Sequence, residues 1–202
     1  MENGLKDYKR LSLRQMTIVG MLISVTIFMG ITRLGLIPLP TGVNITIMHL
    51  PVIIGAILEG PIVGALIGFS FGLFSMYQAF TAPGIFSFWF WNPIIAIIPR
   101  VLIGITSYYI YKALRERHKK ASIGIAAVSG TLINTIGVLS LAYLFYGEKI
   151  AAVLQSLNIN SSAGYYLAVT IGMVNGIPEA IVSALISSPV ILAILKFRKK
   201  SY

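Results

Sequence analysis

The chain has 202 residues, 56% of them hydrophobic types and only 11% charged, against about a quarter charged in an ordinary soluble domain. A mean hydropathy of +0.85 excludes a water-soluble globule and predicts a bilayer protein. The net charge of +10 would suit a polyanionic partner, but the placement of the charges argues otherwise, and the lack of cysteine excludes disulfides, thiolate metal sites and cysteine nucleophiles.

A helix needs about 20 apolar residues to cross the hydrocarbon core. The first such stretch, residues 13–33, has an apolar core at about residues 16–31 that is long for a signal peptide, and nothing soluble follows it, so it is read as a span. A Pro/Gly-rich segment, residues 34–44, leads into a second span at 45–58, which is short for a crossing. Glu59-Gly60-Pro61 turns into a third span at 62–80. An aromatic and proline-rich loop, residues 81–91, precedes a fourth at 92–114. The fifth covers 123–146 and the sixth 163–197, the last longer than a crossing needs, with Pro178 and Pro189 as candidate kinks. The prediction is an all-α membrane protein, one integral-membrane domain over residues 1–202, folded as a bundle of six transmembrane helices.

Basic residues set the orientation. Lys6, Lys9, Arg10 and Arg14 precede the first span; Lys112, Arg115, Arg117, Lys119 and Lys120 join the fourth to the fifth; Lys196, Arg198, Lys199 and Lys200 end the sixth. With six spans these thirteen of sixteen Lys and Arg residues fall on one side, which the positive-inside rule makes cytoplasmic, together with both termini. Such clusters read as topology signals and contacts for anionic lipid. Nucleic-acid binding would want aromatic platforms beside the charges, and the run from Lys112 to Lys120 has none.

Enzymatic motifs are missing. There is no phosphate loop, no HExxH, no clustered metal-ligand pattern and no GxSxG elbow, so neither catalysis, nor a cofactor, nor a metal is expected. Glu179 is the one carboxylate expected within the membrane, where a proton-driven pump usually has several. An energy source in a partner protein is therefore expected.

Hydrophilic side chains inside spans are costly and are candidate functional groups. Arg100 lies about 12 Å below Asn92 along the fourth helix. Asn134 is near the middle of the fifth span. Asn175 and Glu179 share a face of the sixth at i, i+4. These groups can converge on a small polar ligand; equally, Arg100 and Glu179 can form a structural ion pair while the asparagines bridge helices. The outer aromatics Tyr77, Phe80, Phe86, Phe88, Trp89, Phe90 and Trp91 suit either an interfacial belt or a lid over a pocket. Gly64, Gly68 and Gly72 form a stripe that packs helices within the chain or docks a second membrane protein, and Gly20 with Ser24 forms a smaller pair.

Two blocks, TIMHLPVIIGAILEGPIVGALIGFSFGL (Thr46 to Leu73) and FWNPIIAIIPRVLIGI (Phe90 to Ile105), resemble the substrate-binding S components of energy-coupling factor (ECF) vitamin transporters, above all the pantothenate-type branch. The resemblance covers most of the chain. It implies a multi-pass cell-membrane protein that binds one vitamin from the outer side, docks on a transmembrane T component carrying two cytoplasmic ATPases, and reorients to release its ligand. It also implies a T-component contact at Gly20 to Ser24, where the family's small-residue character is kept but its alanines are not. The substrate candidates are Asn44, His49, Tyr77, Trp89, Asn92, Arg100, Asn134, Asn175 and Glu179, with Arg100 pairing an anionic group such as the carboxylate of pantothenate. Pyridoxine, a thiamine precursor and folate are alternative ligands, and a stand-alone secondary carrier for a small metabolite is the alternative mechanism.

Overall fold

The computed structural model describes residues 11–37, 45–118 and 121–200. Helix α1, Leu13–Ile31, starts at a capping box: the Ser12 hydroxyl accepts from the Gln15 backbone N–H at 3.2 Å, and the Gln15 side chain returns to the Ser12 N–H at 3.1 Å. An antiparallel pair of two-residue strands follows, β1 (Leu36–Ile37) and β2 (Ile45–Thr46). Then come α2 (Leu50–Glu59), α3 (Pro61–Thr81), α4 (Pro93–Leu114) and α5 (Ala121–Ser156). The last helix, α6, runs through three consecutive segments: Ala163–Tyr165, a π-helical stretch Tyr166–Met173, and Val174–Lys200.

Five of these helices are long and apolar enough to cross a membrane, and α2 is not. Its ten residues rise only about 15 Å, half the roughly 30 Å hydrocarbon thickness. The predicted second span is thus a half-length helix entered by extended chain. Pro51 in its first turn and the strand residues before it explain why the helix starts no earlier. Helix α5 continues past its predicted end. Tyr146 breaks the helical backbone (φ −134°, ψ 18°), and residues 147–156 form a second helical piece where an outer loop was expected. In α6 the irregularity is the π-helical stretch, upstream of both prolines.

The start of α1 and the end of α6 meet at the α2–α3 turn. Glu59, in the α2–α3 turn, is ion-paired to Arg198 near the end of α6 and lies 3.6 Å from Arg14 at the start of α1. The Glu59 carbonyl accepts from the Gln15 side chain at 3.1 Å. The turn is made by Gly60 at φ +109°, a left-handed conformation open to glycine, with Pro61 opening α3 behind it.

The glycine stripe packs within the chain. A Cβ on Gly64 would strike Gly104, one on Gly68 the Arg100 carbonyl, and one on Gly72 the backbone of Ala96 and Ile97. Helices α3 and α4 therefore run antiparallel in backbone contact, which brings Phe71 to the Arg100 guanidinium. Gly137 meets Pro99, setting the register of α5 on α4, and Gly176 meets Thr135, setting α6 on α5.

Candidate functional site

Where extended chain stands in place of a full-length α2, the bundle leaves a cavity of about 670 Å³. Its wall includes Arg33, Leu36, Thr46 and Met48 from the α1–α2 connection; Phe71, Ser75 and Gln78 from α3; Phe86, Trp89 and Phe90 from the aromatic loop; Arg100 from α4; Asn134, Thr135 and Val138 from α5; and Ile171, Asn175 and Glu179 from α6. Non-helical backbone at this depth is tolerated only where it is buried in protein or lines such a cavity. Among the described residues of the α1–α2 connection, the Glu179 carboxylate accepts from the Thr46 N–H at 2.6 Å, the Gly35 carbonyl accepts from the Ile47 N–H at 3.0 Å, and the Thr46 hydroxyl accepts from the Met48 N–H at 3.2 Å.

Arg100 is buried, its guanidinium carbon 4.7 Å from the Phe90 ring centroid and 5.5 Å from that of Phe71. Nη1 donates to the Ile95 carbonyl at 2.9 Å. Although Glu179 lines the same cavity, no ion pair joins it to Arg100 among the described residues. Four shielded polar atoms without a hydrogen-bond partner among the described residues, Arg100 Nε, Trp89 Nε1, Asn134 Oδ1 and Thr135 Oγ1, all belong to cavity-lining residues. Buried polar groups are normally paired, so donors and acceptors gathered around one space can receive a solute bearing the complementary groups.

The roof is aromatic. Phe86 stacks on Trp89 at 5.2 Å, Phe88 meets Tyr146 edge-on at 5.6 Å, and Lys149, from the unforeseen extension of α5, lies 4.5 Å over Phe88. Further out, Phe80 stacks on the exposed Trp91 at 5.7 Å. The loop thus packs Phe86, Trp89 and Phe90 against the cavity and leaves Trp91 exposed.

Of the nine substrate candidates, Trp89, Arg100, Asn134, Asn175 and Glu179 come together on this cavity. Three others lie off its wall. His49 is fully buried at the start of α2, its Nε2 3.0 Å from the Thr131 hydroxyl. Tyr77 is 60% exposed. Asn92 caps α4, its side chain accepting from the Ile94 N–H at 3.0 Å. Asn44 lies outside the described residues. Gly20 and Ser24 are on the exposed face of α1, and a Cβ on Gly20 would meet nothing within 4 Å. Arg33, Thr46 and Phe71 were missed. The first sits where span one was taken to end, and the others join the site only through the half-length α2 and the α3–α4 contact.

The family profile described as the ECF transporter substrate-specific component matches residues 14–191. The chain belongs to this family. Two relatives are similar to this S component along much of their length. The pantothenic acid transporter PanT of Lactococcus lactis subsp. cremoris is 33% identical over 176 residues, covering 80% of this chain and 83% of the relative. The pantothenate transporter PanT of Leuconostoc mesenteroides subsp. mesenteroides is 38% identical over 138 residues, covering 61% and 68%. The S component is a multi-pass cell-membrane protein of a transporter, and the family's role is transport rather than catalysis.

Proposed function

We propose that this chain is the high-affinity binding subunit of an ATP-driven ECF importer and that its ligand is pantothenate, received from the outer side. The observation that carries this is the Arg100 guanidinium, walled by Phe71 and Phe90, at a cavity whose lining residues also carry unpaired donors and acceptors. A volume of about 670 Å³ suits a small organic solute. Pantothenate offers a carboxylate to Arg100, an amide and hydroxyls to Trp89, Asn134, Thr135 and Asn175, and geminal methyls to apolar walls such as Val138 and Ile171. The names of the two relatives support the same vitamin. In this reading Glu179 holds the α1–α2 connection in place as one side of the binding site.

The chain acts as one membrane domain with both termini cytoplasmic. A T component docks on the exposed α1 face at Gly20 and Ser24 and links the receptor to two ATPase subunits, and the basic end contacts anionic lipid. No bond of the ligand is made or broken. The test is calorimetry on the purified chain: pantothenate binds below micromolar levels, and Arg100→Ala weakens it by about 2 kcal/mol, roughly thirtyfold. Wild-type affinity in Arg100→Ala, or no binding by the intact chain, would refute the reading.

A further inference from the structure

The Arg100 side chain is held by an acceptor that an ordinary helix would not offer. In α4 the Ile95 carbonyl should accept from the N–H of residue 99, four positions on, but that residue is proline and has no N–H to give. Arg100 Nη1 takes up this carbonyl at 2.9 Å, in a buried setting. The two rings of Phe90 and Phe71 flank the guanidinium, so the carbonyl fixes the orientation the rings leave open. Nη1 is thereby engaged, and Nε is a shielded donor with no partner among the described residues. Nε and Nη2 form the side-on fork of a guanidinium, the edge that takes a carboxylate with two parallel hydrogen bonds.

We infer that Pro99 is a positioning residue for ligand recognition: by withholding its N–H from the Ile95 carbonyl, it makes that carbonyl the anchor of Arg100 and leaves the Nε–Nη2 edge to a carboxylate in the cavity. This deepens, and rests on, the reading of the cavity as a receptor for an anionic solute. A residue with an N–H at position 99 competes for the carbonyl and frees the guanidinium to turn. A Cβ on Gly137 of α5 would meet the Pro99 ring at 3.3 Å, so the packing of Pro99 must be separated from its missing N–H.

The experiment compares pantothenate with its neutral primary amide by calorimetry on the full chain in detergent. Pro99→Ala, and Pro99→Val, which keeps more bulk against Gly137, are expected to weaken pantothenate about tenfold while the amide changes about twofold or less. Lactic acid at position 99, installed as a backbone ester, lacks both ring and N–H and is expected to restore the preference for the carboxylate. If Pro99→Ala does not fold, Pro99→Val and the ester carry the comparison. Equal weakening of both ligands in the N–H variants, an unchanged preference, or failure of the ester to restore it would overturn the inference. Arg100→Ala separates the two levels. If it loses the carboxylate preference while the N–H variants keep it, only the role of Pro99 fails; if it keeps the preference, the receptor reading falls as well.

Discussion

Arg33 follows the end of α1 with φ +57°, a left-handed conformation that a side chain with a Cβ adopts at a cost of about 1–2 kcal/mol. Glycine at this position would relieve the strain, yet the exposed residue is an arginine at the wall of the cavity. Strain tolerated beside a binding site points to a role there, and a cation at the entrance raises the local concentration of an anionic solute. Arg33→Gly is therefore expected to raise unfolding stability by about 1 kcal/mol and to slow capture of pantothenate severalfold at low salt, the difference shrinking as salt screens the charge. Stopped-flow binding at two ionic strengths checks it, and unaltered capture at low salt would leave Arg33 without that role. Among single residues, those that are costly in a membrane were legible: Arg100, Asn134 and Glu179 stood out because a bilayer tolerates them only when shielded. Asn92 misled. An Asn directly before a Pro that opens a helix is also a cap signature, and local backbone chemistry accounts for its side chain.

At the scale of elements, the small-residue stripe on α3 sets how near α4 comes, and so where Arg100 sits. A methyl on Gly68 would strike the Arg100 carbonyl carbon at 2.8 Å and Val101 Cα at 3.1 Å, both backbone atoms that cannot swing aside. Gly68→Ala should destabilise the protein by about 1–3 kcal/mol and weaken ligand binding with it, whereas Gly20→Ala, with open space around it, should stay within about 1 kcal/mol of wild type. Thermal unfolding of both variants in detergent tests the contrast; equal stabilities would mean that the stripe does not set the spacing. The spacing was legible as a stripe, but the face it turns inward was not, because hydropathy in a membrane does not distinguish lipid from a neighbouring helix. The half-length of α2 left only a faint signal, a short apolar run with Pro51 near its start. The extension of α5 past Tyr146 left none, since Gly147, Glu148 and Lys149 interrupt hydropathy without ending the helical chain.

At the scale of the whole molecule, cavity and charge lie at opposite ends. Arg14, Glu59 and Arg198 meet at one end, and α4, antiparallel to α3 in its glycine contacts, delivers Lys112, Arg115 and Arg117 to that same end. The aromatic roof, Lys149 and the kink at Tyr146 close the other. If the positive-inside rule governs this bundle, the cavity faces the exterior and an importer can load from the medium. The absence of cysteine from the chain makes a direct test simple, because each introduced thiol reports one position. Glu148 and Glu116 are both exposed, one at each end. A membrane-impermeant maleimide added to intact cells should label Glu148→Cys, whereas Glu116→Cys should react only after permeabilisation. Added pantothenate should leave the Glu116→Cys reaction unchanged. The reverse pattern would turn the roof toward the cytoplasm, and a cavity opening there could not collect a solute from outside, however well Arg100 matched its charge.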